Sequence, residues 1–333
     1  MTYTLAIETS CDDTSIAVIE NKTNILSNRV SSQEKTHKRY GGVVPEVASR
    51  LHAETIHSLL DLSLKEASIS LHQLSQIAVT IGPGLEGCLL VGISVAKSLS
   101  YALDIPLIPV HHIHGHIYAF TQYKPTLSYP ALALIVSGGH TDLIVMEKEG
   151  SFMCCGKTRD DAAGEVFDKV ARRLSLGYPG GPLIEQHAKT GNDLAFKLPI
   201  AMKHSPFEFS FSGLKTATLD CIQSLDNPQE QLADICASFQ KTVNDTLVLK
   251  TLAACQHYTI QDLVIGGGVA SNQTLMNVFK SRISAMSLNL IHIQPNLCTD
   301  NAAMIGLAAT HLGNIYQLRK DDILVQSTFS YEH

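Results

Sequence analysis

The chain has 333 residues, 45% hydrophobic and 17% charged, which excludes a disordered or collagen-like protein and leaves room for two domains. A net charge of −6 argues against broad, non-specific nucleic-acid binding, and no apolar run of about 18 residues predicts a membrane span. Eight scattered cysteines without a CxxC pair, and an N-terminus without a signal-peptide pattern, point to free thiols in a reducing cytoplasm.

Residues 5–19 hold two short apolar runs around the polar turn Ser10-Cys11-Asp12-Asp13, the pattern of a β-hairpin. Residues 43–64 read as a helix and 77–81 as a strand. The turn Gly82-Pro83-Gly84-Leu85 then leads into a helix at about 88–102. A strand at 107–110 precedes a helix at about 112–121, and 123–129 is the best linker. A second hairpin follows at 131–146, with Ser137-Gly138-Gly139-His140-Thr141 as its turn. Its recurrence about 125 residues after the first predicts a duplicated lobe. Helix at 161–174, strand at 263–265, Gly266-Gly267-Gly268 and a helix from about 272 come next. A strand at 290–294 and a small-residue helix at about 300–312 complete the described pattern. Strands alternating with helices across glycine turns define an α/β class with buried sheets.

His112-Ile113-His114-Gly115-His116 is the densest chemical signal. Positions 112 and 116 share one face of a helix, and neutral imidazole is the commonest metal ligand. The spacing fits a metal and fits a polar helix rich in surface histidine equally well. Ile113 stands where a metalloprotease HExxH helix carries its glutamate. Asp300, between an expected strand and helix, is a third donor or an N-cap, a role Thr299 shares. Two His and one carboxylate make an open site for a divalent transition metal.

The turns at 137–141 and 266–272 match neither GxxxxGK[ST] nor GxGxxG. Two of them after apolar strands favour backbone N–H groups held close to a nucleotide over two plain turns. Asp161, Glu165 and Asp168 fall on one helical stripe. They are a solvated acidic face paired with Lys169, Arg172 and Arg173, or acceptors for a ligand hydroxyl or amine. Lys35-Thr36-His37-Lys38-Arg39-Tyr40 is the one compact basic stretch with an aromatic, either an exposed charged loop or a grip on phosphate and base.

These segments resemble the bacterial-type tRNA N6-adenosine threonylcarbamoyltransferases. The carriers are Ile7-Glu8-Thr9-Ser10-Cys11-Asp12-Asp13-Thr14, Gly41-Gly42-Val43-Val44-Pro45-Glu46, Gly82-Pro83-Gly84-Leu85 and the histidine helix. They continue with Ser137-Gly138-Gly139-His140-Thr141, Asp160-Asp161-Ala162-Ala163-Gly164-Glu165, Phe209-Ser210-Phe211-Ser212-Gly213-Leu214-Lys215, Gly266-Gly267-Gly268-Val269-Ala270-Ser271-Asn272 and Thr299-Asp300-Asn301, in family order from residue 5 to about 306.

The resemblance implies the two-lobed actin/Hsp70/sugar-kinase (ASKHA) fold, with duplicated mixed-sheet lobes and a ligand cleft between them. Residues 1–125 would form one lobe and 126–300 the other, with a helical segment from about 301 to 333 packing back on the first. It implies His112, His116 and Asp300 as ligands of one divalent metal, iron first and zinc as the alternative. It places threonylcarbamoyl-adenylate against Ile135, Val136, Ser137, Gly138, Gly139, Asp168, Gly181, Glu185 and Asn272. Glu185 stands where the family usually has aspartate, and His114 where it more often has glutamate.

The implied reaction is acyl transfer from threonylcarbamoyl-AMP to N6 of the adenosine 3′ of the anticodon in tRNA, with AMP released. Asp12, in the first hairpin turn, is the candidate general base, with an Asx-turn acceptor as its structural alternative. The family works with a paralogous actin-like protein, an ATPase and a separate enzyme that makes the adenylate; no membrane partner is expected. The alternatives are a small-molecule kinase or ATPase of the same fold, a zinc endopeptidase and a non-catalytic scaffold. The missing HExxH glutamate opposes the second, and the intact metal and glycine motifs oppose the third.

Overall fold

The computed structural model describes residues 1–284, 286–314 and 319–328. The chain divides into two compact units, Met1–Thr126 with Thr299–His333, and Leu127–Cys298.

In the first unit, β1 (Tyr3–Glu8), β2 (Asp13–Glu20), β3 (Asn24–Ser32), β4 (Gln76–Gly82) and β5 (Leu107–His111) form one sheet in the order β3-β2-β1-β4-β5. β1 pairs antiparallel with β2 and parallel with β4. The helices are α1 (Glu34–His37), α2 (Pro45–Ala67), α3 (Glu86–Leu103) and α4 (His112–Tyr118).

In the second unit, β6 (Ala131–Val136), β7 (Thr141–Met146), β8 (Met153–Lys157), β9 (Asp262–Gly266) and β10 (Asn289–His292) lie in the order β10-β9-β6-β7-β8. Its helices are α5 (Ala163–Arg173), α6 (Gly180–Ala188), α7 (Ser212–Ser224), α8 (Leu232–His257), α9 (Gln273–Ile283) and α10 (Pro295–Cys298). The chain then returns to the first unit as α11 (Ala302–Leu312). Replacing β1 to β5 by β6 to β10 reproduces the strand order, and β6 also pairs antiparallel with β7 and parallel with β9. The duplicated hairpins of the sequence are therefore the first two strands of two sheets of one topology.

β1, β2, β4 and β5 of the first sheet are covered on both faces, so they are buried nearly throughout rather than on alternate residues. Leu5 and Ile7 of β1 and Ile16 and Val18 of β2 join Ile56, Leu60, Leu89 and Ile93 of α2 and α3 in one core. Ala6 and Ile19 face α11, where a Cβ on Gly306 would lie 2.5 Å from Ile19 and 3.2 Å from Ala6. Only glycine lets α11 sit this close to the strands.

One expectation changes. α3 is long and apolar enough to cross a membrane by length and composition alone. It packs as a core helix, with Cys88, Leu89, Ile93, Ala96 and Ser100 buried. The C-terminal segment is not one helix: α11 ends at Leu312 and a short 3-10 turn follows at Lys320–Asp322. The rest of the expected helix, at 315–318 and 329–333, lies outside the described residues.

Candidate metal centre and glycine turns

α4 begins as β5 ends, with His111 as its N-cap accepting from Ile113 N at 3.1 Å. Every residue of α4 is buried, so the surface-histidine reading of this helix fails. His111 and His114 stack at 4.4 Å. His112 and His116 meet edge-on with ring centroids 4.8 Å apart.

Asp300 sits just before α11, whose N-cap is its neighbour Asn301, accepting from Met304 N at 3.1 Å. Neither Thr299 nor Asp300 caps the helix, which leaves the Asp300 carboxylate for the histidines. Its Oδ1 lies 3.5 Å from His112 Nε2 and 3.2 Å from His116 Nε2. The donor atoms of all three residues fall within 4.8 Å of one another. Ligands about 2.1 Å from one ion stand roughly 3.0–3.4 Å apart, close to the two imidazole–carboxylate separations.

The fit extends to the surroundings. His116 is 1% exposed, yet neither ring nitrogen has a partner with hydrogen-bond geometry. Buried polar atoms are rarely left so, and a cation would satisfy Nε2. Burial alone would depress the His112 imidazole, but Asp300 and Glu8 outweigh it and push its pKa to about 10. Burial alone would raise the Asp300 carboxyl, but His112 and His116 hold it well below the usual carboxylate range. Two carboxylates here demand positive charge, which a proton or a metal can supply. The Asp300 side chain is 28% exposed, so the site is open on that side.

Asp12 lies between β1 and β2, in the turn expected of it. Its main-chain oxygen accepts from Gln33 N at 3.1 Å, and the next turn atom, Cys11 O, lies 3.0 Å from His52 Nε2. His52 Nδ1 reaches Thr14 Oγ1 at 2.7 Å, so α2 pins the turn from outside. The basic stretch at 35–40 is smaller than it reads. His37 is fully buried and bonded to Gln33 at 3.0 Å, while Lys35, Lys38, Arg39 and Tyr40 are exposed.

The remaining sequence-predicted residues all lie in the second unit. Ile135 and Val136 end β6 with wholly buried side chains, so only their backbone is available to a ligand. Ser137 closes the turn: its N donates to His140 O at 2.8 Å, and its Oγ accepts from Gly139 N and His140 N at 3.3 and 3.1 Å. Nothing lies within 4 Å of a Cβ built on Gly138, Gly139 or Gly181. Their openness is therefore not a packing requirement of the described residues.

Other glycines of these turns are packing requirements. A Cβ on Gly164, in the first turn of α5, would lie 2.6 Å from Ser137 O. Gly267 has φ +90 and would place its Cβ 2.4 Å from Val136 O. These two bring α5 and the turn after β9 against the end of β6.

Asp168 on α5 accepts from Gly180 N, at the start of α6, at 2.7 Å. Burial holds its carboxyl above the ordinary value despite that bond. Glu185 on α6 accepts from Gln273 N at 2.8 Å and Thr274 N at 3.2 Å, so its longer side chain reaches the first turn of α9. Asn272 is the N-cap of α9, accepting from Leu275 N at 2.8 Å, and its Nδ2 donates to Gln240 Oε1 at 2.9 Å.

Asp161 and Glu165 go the structural way: Lys169 pairs with both at 2.7 and 2.8 Å, and Lys215 with Asp161. Asp161 precedes α5 rather than lying on it. Asp160 caps α7, accepting from Phe211 N at 2.8 Å. Gln240 and Glu8 carried no sequence signal as site residues, since a lone Gln on a helix and a Glu ending a strand are ordinary surface choices.

A hairpin-led sheet repeated with one strand order, and glycine turns after its strands, place the chain in the actin-like ATPase fold class. Solved structures agree on the fold. HypF of T. kodakarensis superposes with a TM-score of 0.63 at 15% identity, covering 97% of this chain and 49% of that one. Component A of (R)-2-hydroxyglutaryl-CoA dehydratase from Acidaminococcus fermentans gives 0.56 at 13% identity, covering 93% and 98%.

The family model for tRNA N6-adenosine threonylcarbamoyltransferase matches residues 24–307. Proteins of that name from Staphylococcus saprophyticus and Halalkalibacterium halodurans are each 50% identical to this chain. They cover 93% and 92% of it, and it spans 91% and 90% of them. The chain belongs to the tRNA N6-adenosine threonylcarbamoyltransferase family.

Proposed function

We propose that this chain transfers the threonylcarbamoyl group of threonylcarbamoyl-AMP to N6 of the adenosine 3′ of the anticodon in tRNA, releasing AMP. Family membership over most of the chain supports the reaction. The observation that carries the chemistry is the convergence of His112, His116 and Asp300 around one position, buried on the histidine side and open on the Asp300 side. These three hold a divalent metal, iron or zinc, which supplies Lewis acidity toward anhydride oxygens when bound.

The adenylate binds on the second unit. Backbone groups at 135–139 and 181 take its phosphate and ribose, and Asp168, raised by burial, takes a hydroxyl or amine hydrogen bond. Glu185 and Asn272 hold the start of α9 beside them. Asp12 is the base that collects the proton lost by the attacking exocyclic amine. That amine is a weak nucleophile, so positioning supplies much of the rate.

Exposed Lys35, Lys38 and Arg39 take tRNA phosphates, and a chain of net charge −6 draws further basic surface from partners. Those partners are a paralogous actin-like protein and an ATPase, in a reducing cytoplasm where the eight free cysteines stay reduced. The test is AMP release from threonylcarbamoyl-adenylate with and without unmodified tRNA, in the presence of those partners. tRNA-dependent release supports transfer. ATP consumption by the chain alone, with no tRNA-dependent AMP release, supports a kinase or ATPase of the same fold instead.

A further inference from the structure

We infer that Glu8 is a positioning residue for the metal site, fixing the His112 ring so that Nε2 faces the position shared with His116 and Asp300. The inference rests on the reading that these three residues bind a metal.

Glu8 ends β1 and is wholly buried. A carboxylate taken fully out of water costs several kcal/mol unless it is paired and hydrogen-bonded. This one is held at both oxygens. Ser10 N donates to Oε1 at 2.5 Å, Thr80 Oγ1 donates to Oε2, and His112 Nδ1 lies 3.1 Å from the same Oε2. Ser10 and Thr80 could be served as well by a neutral amide, so they do not explain an acid here. His112 does.

An ionised carboxylate only accepts hydrogen bonds. The His112 nitrogen facing it therefore keeps its hydrogen, so it is Nε2, 3.5 Å from Asp300 Oδ1, that gives up its proton and offers its lone pair when a metal binds. Ser10 Oγ, 3.2 Å from the same Nδ1, completes the clamp. His116 has no equivalent: its Nδ1 is buried without a hydrogen-bond partner. The geometry of the pair is thus set from the His112 side, by a strand on the far side of the ring from the metal position. Acceptors behind metal-bound imidazoles generally fix tautomer and orientation, and losing one typically costs 10–100-fold in metal affinity.

The test is Co²⁺ titration of the full, metal-stripped chain, read by visible absorption, for wild type, Glu8→Gln, Glu8→Asp, Thr80→Val and His112→Ala. A glutamine amide can donate to Nδ1 and favour the tautomer with hydrogen on Nε2, which cannot ligate. Glu8→Gln is expected to bind Co²⁺ about 10–100-fold more weakly with an altered ligand-field spectrum. Glu8→Asp should recover part of the affinity. Thr80→Val, which keeps Glu8 and its contact with His112 but removes one donor to Oε2, should lose less and covers the case of a poorly folded Glu8→Gln. A Glu8 that only supports packing would lower thermal stability and leave affinity and spectrum unchanged, which overturns the inference. Wild-type Co²⁺ affinity in His112→Ala would overturn the metal reading itself, and the inference with it; loss in His112→Ala beside unchanged binding in folded Glu8→Gln overturns the inference alone.

Discussion

Each imidazole of α4 has different neighbours, and these decide which ones a metal can use. His114 stacks on His111, and burial pushes its pKa down to about 3, so it stays neutral and outside the donor set. Metal analysis of purified, folded variants should find metal lost from His112→Ala and His116→Ala and retained in His114→Ala. Full occupancy in the first two would contradict the assignment. Asn272→Ala removes the α9 cap, worth about 1 kcal/mol. It also strips a partner from Gln240, and an unsatisfied buried acceptor costs about 1–3 kcal/mol. Denaturant unfolding should therefore show a loss well above 1 kcal/mol; an unchanged midpoint would contradict this accounting. The His112–His116 spacing was legible because i, i+4 on a helix is a local fact. Asp300 was readable from its place before a helix only as a donor or an N-cap, and the family resemblance was needed to pair it with the histidines, since no periodicity links residues so far apart in the chain. Glu8 was not legible as part of the site, because its role appears only when β1, β4 and α4 are packed together.

The elements that position the turns depend on close backbone approach. Gly164→Ala tests this. Alanine is the better helix former by up to about 1 kcal/mol. Here, however, the added Cβ would meet Ser137 O at 2.6 Å and Gly138 N at 2.8 Å, both backbone atoms that cannot swing aside. The clash should win, with about 1–3 kcal/mol of destabilisation and weaker adenylate binding as the 137–139 turn shifts. A variant as stable as wild type with equal adenylate affinity would show that α5 does not brace the turn. Hairpins and strand-to-helix glycine turns were readable because both leave short, local patterns. α8, the 26-residue helix at Leu232–His257, was not. Its buried face carries Thr242, Thr246 and Thr251, whose hydroxyls bond the carbonyl four residues back. Satisfied in this way, polar residues enter the interior without making an apolar stripe. β3 escaped for the opposite reason: it is an edge strand with a largely polar, half-exposed sequence.

The chain as a whole pairs a net charge of −6 with a polyanionic substrate. With His37 buried, the exposed basic contribution of the 35–40 stretch is Lys35, Lys38 and Arg39. Reversing Lys38 and Arg39 to Glu should weaken tRNA binding most at low salt. The salt dependence should flatten by about one counterion for each phosphate that the protein no longer neutralises, while adenylate affinity stays unchanged. Equal tRNA affinity across a salt series would remove this stretch from the tRNA surface. The most direct test of the central claim is nucleoside mass spectrometry of tRNA after incubation with the chain, the proposed partner proteins and threonylcarbamoyl-adenylate. The expected result is N6-threonylcarbamoyladenosine beside the anticodon, formed with wild type and absent with His112→Ala. Unmodified adenosine after full reconstitution with wild type, or equal modification by His112→Ala, would contradict the account.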